Sequence, residues 1–442
     1  MPKVSIIGAG LAGAEAAWQL AQRSVAVELY EMRPDKMTPA HHSEYFAELV
    51  CSNSLRAAGL ENAVGLLKEE MRRLNSLVIQ TADETAVPAG GALAVDRERF
   101  SGQMTQRLRA HPLIRVWRQE VRQVPPAGRG IVIIASGPLT SDSLAASVEQ
   151  LTGETHLAFY DAAAPIVTWE SVDMSRAFWA SRYDKGDADY LNCPMTRDEY
   201  ARFYEALISA QTAEIKDLER GGGLAVFEGC MPIEVMAGRG EQTLLFGPLK
   251  PVGLQDPACG QRPYAVVQLR KENLAGTLLN LVGFQTRLKW GEQQRVFRLI
   301  PALRQAEFVR FGVMHRNTFI NAPKLLRADY SLKKRPELFF AGQISGVEGY
   351  VESAASGLTA GLNAWRRING RETLVFPAET ALGGLARHVA GSPSQDFQPM
   401  NINFGLLPPW PERIRGKREK NAKIAQRALS ALDGFMVEQG IG

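Results

Sequence analysis

In the first thirty positions, two short apolar runs flank a segment whose apolar residues recur at helical spacing. This order predicts a β–α–β unit. Residues 4–7 form an apolar run of the length of a buried parallel strand. A glycine-rich turn follows, residues 14–23 place alanine and leucine at helical spacing, and residues 25–31 form a second strand that ends in an acid. We therefore expect a nucleotide-binding unit of the Rossmann type at the start of the chain.

The turn after the first strand has the pattern Gly-x-Gly-x-x-Gly. Its glycines allow a tight turn and a close backbone approach to a pyrophosphate, and the helix N-terminus adds unpaired N–H groups. Glu31 lies 18 residues after the last glycine, near the spacing expected for an acceptor of the ribose hydroxyls. The predicted cofactor-binding residues of this unit are Gly8, Ala9, Gly10, Leu11, Ala12, Gly13, Glu31 and Arg33.

Further apolar runs extend this fold to the other end of the chain. The expected elements are a helix over 99–109, strands over 113–124 and 131–137, a late strand over 338–343 and a helix over about 352–366. A long insertion closed by a late strand, glycine and helix is typical of FAD folds, because an NAD domain is normally complete within about 150 residues. The late unit is expected to add Gly342, Gln343, Gly349 and Tyr350 to the cofactor site.

The middle of the chain has a different pattern. Strands are expected over 163–169, 264–269 and 278–284, with a helix around 197–212 and a glycine hinge at 221–223. We predict an α/β protein: a Rossmann-like FAD-binding domain of the glutathione-reductase type with an inserted smaller α/β domain. The predicted borders are 1–148 and 326–442 for the two parts of the FAD-binding domain and 149–325 for the inserted substrate domain. The tail after about Arg371 is expected to be irregular and then a basic helix.

Composition narrows the class of protein. The 442 residues are 45% apolar and 22% charged, which is ordinary for globular chains and excludes disordered, collagen-like and coiled-coil classes. No stretch of eighteen apolar residues occurs, so no membrane span is expected. A strand pattern begins at Lys3, which leaves no room for a signal peptide, and four cysteines cannot form a disulfide framework. We expect a cytoplasmic protein with reduced thiols.

The charge is only slightly basic, at +4, but it is unevenly distributed. The segment from Arg413 to Arg427 contains seven basic residues and one acidic residue. The segment from Arg287 to Arg316 contains seven basic residues and two acidic ones. Each run alone is better explained as a solvated surface. The two together make a polyanion a plausible partner.

Several segments resemble the folate- and FAD-dependent tRNA uracil-5-methyltransferase family over nearly the whole chain. The matching segments are 8–18, 29–34, 47–55, 88–97, 227–234, 313–320 and 346–354. The related wobble-uridine flavoproteins share the nucleotide motif but lack the segments around Cys51 and Cys230. The resemblance implies methylation of carbon 5 of the T-loop uridine of tRNA. It also implies FAD as cofactor, methylenetetrahydrofolate as one-carbon donor and NADH or NADPH as reductant.

Such chemistry requires a reactive thiol, because carbon 5 of uracil becomes nucleophilic only after addition to carbon 6. The resemblance points to Cys51 and Cys230; we assign Cys230 as the carbon-6 nucleophile and Cys51 as the acid/base or flavin-side thiol, and the reverse assignment stays open. Ser52, Asn53 and Ser54 are expected to cap a helix that begins near Leu55, which favours a Cys51 thiolate.

Other candidate residues carry more than one interpretation. His315, Arg316 and Asn317 are predicted to bind the folate substrate, and an interface network without catalytic function fits them equally well. His41 and His42 have no further ligand at metal spacing, so no metal is expected. Asp96 and Arg97 precede a helix and are interpreted as its cap. Two other functions stay open: a flavoprotein that modifies another tRNA uridine, such as the wobble uridine, or a flavin-bound RNA-binding protein. The sequence does not indicate the oligomeric state.

Overall fold

The computed structural model describes residues 3–154, 157–184, 187–213, 231–395, 397–412 and 414–441. In chain order its strands are β1 (Lys3–Ile7), β2 (Ala26–Glu31), β3 (Ser54–Ala57), β4 (Ala86–Val87), β5 (Ala92–Val95), β6 (Ile114–Arg118), β7 (Ile131–Ile134), β8 (Leu157–Ala162), β9 (Ile166–Thr168), β10 (Phe178–Trp179), β11 (Tyr190–Met195), β12 (Ala265–Lys271), β13 (Leu278–Leu281), β14 (Phe308–Arg310), β15 (Met314–Phe319), β16 (Ser331–Leu332) and β17 (Arg335–Phe340).

The α-helices of the same ranges are α1 (Leu11–Gln22), α2 (Ala63–Arg73), α3 (Leu77–Glu84), α4 (Arg97–Ala110), α5 (Asp142–Thr152), α6 (Arg197–Ile208), α7 (Ile233–Ala237), α8 (Thr243–Phe246), α9 (Trp290–Phe297), α10 (Ala322–Leu325), α11 (Tyr350–Ile368), α12 (Ala381–Gly391) and α13 (Lys417–Gln439). None of these helices is long and apolar enough to cross a membrane.

A six-stranded sheet in the order β16-β17-β7-β1-β2-β6 forms the first core. All neighbours pair in parallel except β16, which is antiparallel to β17. The central strand β7 consists of β-branched residues that are all buried, as a parallel strand covered on both faces requires. This sheet confirms the predicted Rossmann-like α/β fold, because β17 returns from the far end of the chain to pair with β7.

Helices α1 and α11 lie in close contact on this sheet. A Cβ atom at Gly357 would lie 2.1 Å from the carbonyl oxygen of Ala12, so a side chain at this position would force the two helices apart. The first turns of both helices therefore lie near the same end of the sheet. That end is where ligands bind in folds of this type.

The second core is built on an antiparallel sheet in the order β10-β11-β12-β13-β9-β14. Its buried apolar residues come from positions 167–306, and helix α6 begins at a capping box formed by Thr196 and Glu199. The antiparallel pair β8 and β15 carries the chain out of the parallel-sheet body and back into it. The expected glycine hinge at 221–223 lies outside the described residues.

Several expected elements are shorter than predicted. The strand expected over 113–124 spans Ile114–Arg118, the strand expected over 163–169 spans Ile166–Thr168, and the strand expected over 278–284 spans Leu278–Leu281. The tail after Arg371 is not irregular up to its basic helix, since helix α12 intervenes. Gly383 of α12 has low helix propensity, but a Cβ at this position would lie 2.0 Å from the carbonyl oxygen of Pro377, so the close packing requires glycine here.

Candidate active site

A cleft of about 1030 Å³ opens at the carboxyl ends of the parallel strands. The turns after β1, β2, β7 and β17 form its walls, which is the usual ligand position in an open α/β sheet. The lining residues include nine of the predicted cofactor residues: Gly8, Gly10, Leu11, Ala12, Glu31, Arg33, Gly342, Gln343 and Tyr350. The remaining three, Ala9, Gly13 and Gly349, belong to the same turns without lining the cleft.

The first turn leaves space where a phosphate is expected. Gly8 has a φ of +100°, and its N–H donates to the carbonyl oxygen of Tyr30 at 2.8 Å. Gly10 precedes α1, no side chain caps this helix, and a Cβ at Gly10 would meet no atom within 4 Å. The N–H groups of the first turn of α1 thus face open space next to the cleft. This arrangement fits a pyrophosphate.

Glu31 is held firmly at the end of β2. Its carboxylate accepts hydrogen bonds from the N–H of Ala9 at 3.1 Å and from the N–H and Nε of Arg33 at 3.1 and 3.0 Å. The buried Arg33 guanidinium also donates to Glu48 at 3.0 Å. A carboxylate has about four acceptor positions, so Glu31 retains capacity for a ribose hydroxyl.

The opposite wall is formed by the turn after β17 and the start of α11. Gly342 has a φ of +81°, and its N–H donates to Ser356 Oγ at 2.7 Å. Gly349, with a φ of +104°, precedes α11, and no side chain caps the helix. The positive end of the α11 dipole is thereby directed toward the cleft, where it favours negative charge on a bound group.

Tyr350 connects Cys51 to the cleft. Its hydroxyl oxygen accepts hydrogen bonds from the N–H groups of Cys51 and Ser52 at 2.7 and 3.2 Å. Burial raises the pKa of Tyr350 well above its usual value, and nearby negative charge at Cys51 adds to this, so the phenol stays neutral. Tyr350 also lines the cleft, so it lies between the Cys51 segment and a group bound there.

The expected helix after Cys51 was wrong. Residues 54–57 form strand β3, which pairs antiparallel to β5, and the next helix begins only at Ala63. Ser54 Oγ accepts a bond from the N–H of Arg56, and the Asn53 amide donates to the carbonyl oxygen of Val95, so both side chains stabilise extended backbone instead of capping a helix. No helix dipole acts on the thiol from this side.

Partly buried arginines supply positive charge near Cys51. Arg97 and Arg310 both donate to the carbonyl oxygen of Val50, the residue before Cys51, at 3.4 and 2.6 Å. Burial alone would lower the pKa of Arg97, but the negative charge of Glu272 counteracts it, and the pKa is raised above its usual value. Burial, followed by repulsion from Arg97, lowers the pKa of Arg310.

Sequence reasoning missed this arginine cluster. Asp96 does cap α4, with its carboxylate accepting from the N–H of Arg99 at 3.0 Å, but Arg97 has a contact network of its own. The signal in the sequence was the charged end of an otherwise apolar strand, where Arg270 and Glu272 follow a run expected to be buried. Charge at such a position requires a partner.

The other cysteines differ sharply in environment. Cys230 lies outside the described residues. Cys193 is fully buried in the second core, and burial raises its pKa to about 12, which makes it unreactive. Cys259 is exposed, and Cys51 is half-buried. Within the described ranges no three His, Cys, Asp or Glu residues are grouped to hold a metal ion, and His41 instead contacts Thr38 Oγ1 through Nδ1 at 2.6 Å.

The three predicted folate residues lie on strand β15 of the connecting ribbon. The backbones of His315, Arg316 and Asn317 pair with Asp161, Tyr160 and Phe159. Asn317 is 1% exposed, and neither atom of its side-chain amide has a hydrogen-bond partner in the described structure. A buried amide without partners is costly unless a ligand or water completes it.

Comparison with known proteins places this α/β protein in a family. Residues 3–372 match the family model described as Glucose inhibited division protein A, and the chain belongs to that family. It is 69% identical over 441 residues to methylenetetrahydrofolate–tRNA-(uracil-5-)-methyltransferase TrmFO of Desulfitobacterium hafniense strain Y51, with both chains covered completely. The protein of the same name from Heliobacterium modesticaldum is 64% identical over 435 residues, 98% of each chain. The family resemblance inferred from the sequence motifs is thereby confirmed.

A solved structure supports the fold independently. GidA of Aquifex aeolicus superimposes with a TM-score of 0.68 at 16% identity, covering 98% of this chain and 74% of that one. At this identity the likeness concerns the fold alone.

Proposed function

We propose that this protein methylates carbon 5 of the T-loop uridine of tRNA, with methylenetetrahydrofolate as one-carbon donor and reduced FAD as reductant. The observation that carries the proposal is the attachment of the Cys51 segment to the rim of a dinucleotide cleft through Tyr350. The names of relatives that match the chain over nearly its full length agree with it.

FAD fits the residues of the cleft. The uncapped starts of α1 and α11, the open space at Gly10 and the remaining acceptor capacity of Glu31 match a pyrophosphate, a ribose and an electron-rich ring. When bound, FAD supplies the two electrons that convert a methylene into a methyl group. We infer that NADH or NADPH regenerates it by transient docking, since the sequence offers only one dinucleotide motif.

The thiols supply the nucleophile. A thiolate forms a bond to uracil carbon 6, and the resulting carbanion at carbon 5 attacks the folate methylene. A base then removes the proton from carbon 5, and the bond between the methylene and the folate nitrogen breaks, so that tetrahydrofolate leaves and an exocyclic methylene remains. A hydride equivalent, which the reduced flavin would supply, adds to this methylene, and the thiolate leaves as the carbon 5–carbon 6 double bond is restored. We assign Cys230 to the carbon-6 bond and Cys51 to proton transfer beside the flavin. The position of Cys51 next to Tyr350 supports the second role.

The inserted body would hold the substrates. We propose the division 1–148, 149–325 and 326–442. Two separate apolar cores support the existence of two bodies, with residues 167–306 forming the second core, while Phe319 to Leu325 pack in the first. Asn317, with its unpaired buried amide, is the proposed folate contact, together with His315 and Arg316 on the same strand. The exposed basic start of α13 is the proposed contact with tRNA phosphates.

The test is nucleoside analysis of tRNA lacking 5-methyluridine after incubation with the protein, NADPH and methylenetetrahydrofolate. We expect 5-methyluridine at the T-loop position, and none when any single component is omitted. A modified wobble uridine without T-loop methylation would make the protein a different tRNA flavoenzyme. Binding without any modified nucleoside would make it an RNA-binding flavoprotein.

A further inference from the structure

Buried and partly buried charged side chains surround the segment 49–53, in which Cys51 is the central residue. One of them, Arg97, begins helix α4 of the parallel-sheet body. The others come from the second body, where Arg270 and Glu272 lie at the end of β12 and Arg310 at the end of β14. The thiol therefore lies at a seam between the two bodies, and charges from both sides face it.

The backbone before Cys51 is bound by two guanidinium groups. Arg97 Nη1 donates to the carbonyl oxygens of Leu49 at 2.6 Å and Val50 at 3.4 Å. Arg310 Nη2 donates to the same Val50 oxygen at 2.6 Å. Hydrogen bonds from charged donors are roughly twice as strong as neutral ones, so these contacts fix the direction from which the chain enters Cys51.

The residues after Cys51 are bound from the second body. Arg270 Nη2 donates to Ser52 Oγ at 3.0 Å and to Asn53 Oδ1 at 2.7 Å. The Asn53 amide nitrogen donates to the carbonyl oxygen of Lys271 at 3.1 Å. With the bond from Cys51 to Tyr350, every residue from 49 to 53 has a polar contact that fixes it.

Glu272 and Arg97 form an ion pair across the boundary between the two bodies. The carboxylate lies 2.5 Å from Arg97 Nε, and the two side chains are 5% and 13% exposed. The neighbouring hairpin is tied to the same helix start, because the N–H of Leu274 donates to Asp96 Oδ2 at 3.0 Å. A buried carboxylate against a buried guanidinium leaves the arginine little freedom to turn.

We propose that Arg97, oriented across the domain boundary by Glu272, is a positioning residue that holds the Cys51 segment against Tyr350 and the cofactor cleft. This inference rests on the proposed function in one respect, that Cys51 takes part in methyl transfer. Contacts with cofactor or substrate would not predict this role. Glu272 of the inserted body acts through Arg97 on the position of Cys51 in the other body. A misplacement of about 1 Å at a reacting group can cost about a hundredfold in rate.

The positive charge of Arg97 acts on the reactivity of the Cys51 thiol, and the geometry of its donors acts on the position of the Cys51 segment. Substitutions can separate these two effects. Within the described residues, the ionisable groups around the thiol include Arg97, Arg270, Arg310 and Tyr350. Glu272 pairs with Arg97, and the positive charges of Arg310 and Arg97 help burial to lower the pKa of His42. Positive charge favours the thiolate, so removing it shifts thiol reactivity to higher pH. Arg97→Lys keeps the charge but loses the planar fork of donors, whereas Arg97→Gln loses both.

The experiment compares Arg97→Gln, Arg97→Lys and Glu272→Gln with the wild type, and Arg107→Gln is the matched control. Arg107 lies on the same helix, two turns or more from the site, in a surface pair with Glu84. In reduced protein, iodoacetamide modification of the Cys51 peptide is followed by mass spectrometry from about pH 6 to about pH 10. Flavin content, and kcat and KM for a T-arm RNA, are measured alongside.

We expect all four variants to keep their flavin. Arg97→Gln should lower kcat at least about tenfold with little change in KM and move the alkylation midpoint to higher pH. Arg97→Lys and Glu272→Gln should lower kcat without that upward move, and Arg107→Gln should match the wild type. The proposal is overturned if Arg97→Lys and Glu272→Gln both turn over at the wild-type rate, or if Arg97→Gln alkylates like the wild type. If the wild type methylates no RNA, the proposed function fails, and the alkylation profiles alone decide this proposal.

Discussion

Gly10 is the residue at which the cofactor cleft depends most directly on a missing side chain. Its φ of −69° is allowed for any residue, and a Cβ would point into open space. Gly10→Val should therefore fold normally while its side chain occupies the proposed pyrophosphate position. We expect colourless protein, measured as flavin absorbance per mole of purified chain.

The control for this prediction is Gly13→Ala in the same turn. Its Cβ would lie 1.8 Å from the carbonyl oxygen of Gly8, so the loss there should be of stability, seen as a lower melting temperature. A full flavin spectrum in Gly10→Val would show that the phosphate loop is misplaced in our account.

The two proposed thiols can be separated by trapping. With tRNA carrying 5-fluorouridine, the proton at carbon 5 is replaced by fluorine, so an adduct at carbon 6 cannot be resolved. Cys230→Ala should give no shifted band on a denaturing gel, whereas Cys51→Ala should lose turnover and still trap the RNA. A shifted band from Cys230→Ala but not from Cys51→Ala reverses the two roles.

Residue identities near the glycine turn could be predicted from the sequence, because the motif is local. The arginines around Cys51 could not, since Arg97, Arg270 and Arg310 are far apart in the chain and meet only through packing of the two bodies. The helix expected after Cys51 failed for a related reason. Serine and asparagine side chains favour both helix caps and turns, so the sequence alone does not distinguish them. In the structure the Asn53 amide donates to carbonyl oxygens of β5 and β12, and these contacts stabilise extended backbone.

Among the elements, the start of helix α13 presents the clearest basic surface. Arg415, Lys417 and Arg418 are exposed, while Ile424 and Ala425 turn the other side of the helix into the core. Replacing Lys417, Arg418 and Lys420 by glutamine should weaken tRNA binding and flatten its salt dependence, because fewer counterions are released. Filter binding at several salt concentrations measures both effects.

The second basic run provides the comparison for that prediction. Arg295 pairs with Glu292, Arg298 donates to the carbonyl oxygen of Ala306, and Arg310 points inward to Val50. Much of its charge is thus engaged within the protein, although Lys289 and Arg304 remain exposed. An unchanged salt slope in the α13 variant, with a reduced slope in Lys289→Gln/Arg304→Gln, would move the proposed tRNA contact to this run.

Helix α12 depends on a buried carboxyl group. Glu70 of α2 accepts hydrogen bonds from the N–H groups of Ala381 and Leu382 at 2.7 and 2.9 Å, and burial raises its pKa to about 8. In the unfolded chain it titrates near 4.5, so between about pH 5 and pH 8 the folded state binds more protons. The free energy of unfolding should fall as pH rises, by at most about 1.4 kcal/mol per unit.

Glu70→Gln removes this titration and is the matched variant. Urea unfolding of both proteins across this range should give a wild-type curve that declines relative to that of the variant. Parallel curves would mean that Glu70 is ionised in the folded state. This contact also explains why α12 escaped prediction: its three glycines disfavour a helix, and the stabilising partner lies more than 300 residues earlier.

On the scale of the whole molecule, the two bodies meet at the Cys51 segment. The parallel sheet supplies the cofactor cleft, and the antiparallel body supplies Arg270, Glu272 and Arg310 around the thiol. The order of the two bodies along the chain could be predicted from the interrupted Rossmann pattern. The contacts between them around Cys51 could not be predicted, because they depend on how the ribbon of β8 and β15 places one body on the other.

The most direct measurement follows the one-carbon unit itself. tRNA lacking 5-methyluridine is incubated with the protein, NADPH and methylenetetrahydrofolate labelled with carbon-13 at the methylene, and the nucleosides are analysed by mass spectrometry. We predict that the label appears in the methyl group of T-loop 5-methyluridine, and that Gly10→Val, without flavin, transfers none. Unlabelled 5-methyluridine, or labelled product at the wild-type rate from flavin-free protein, would contradict this prediction.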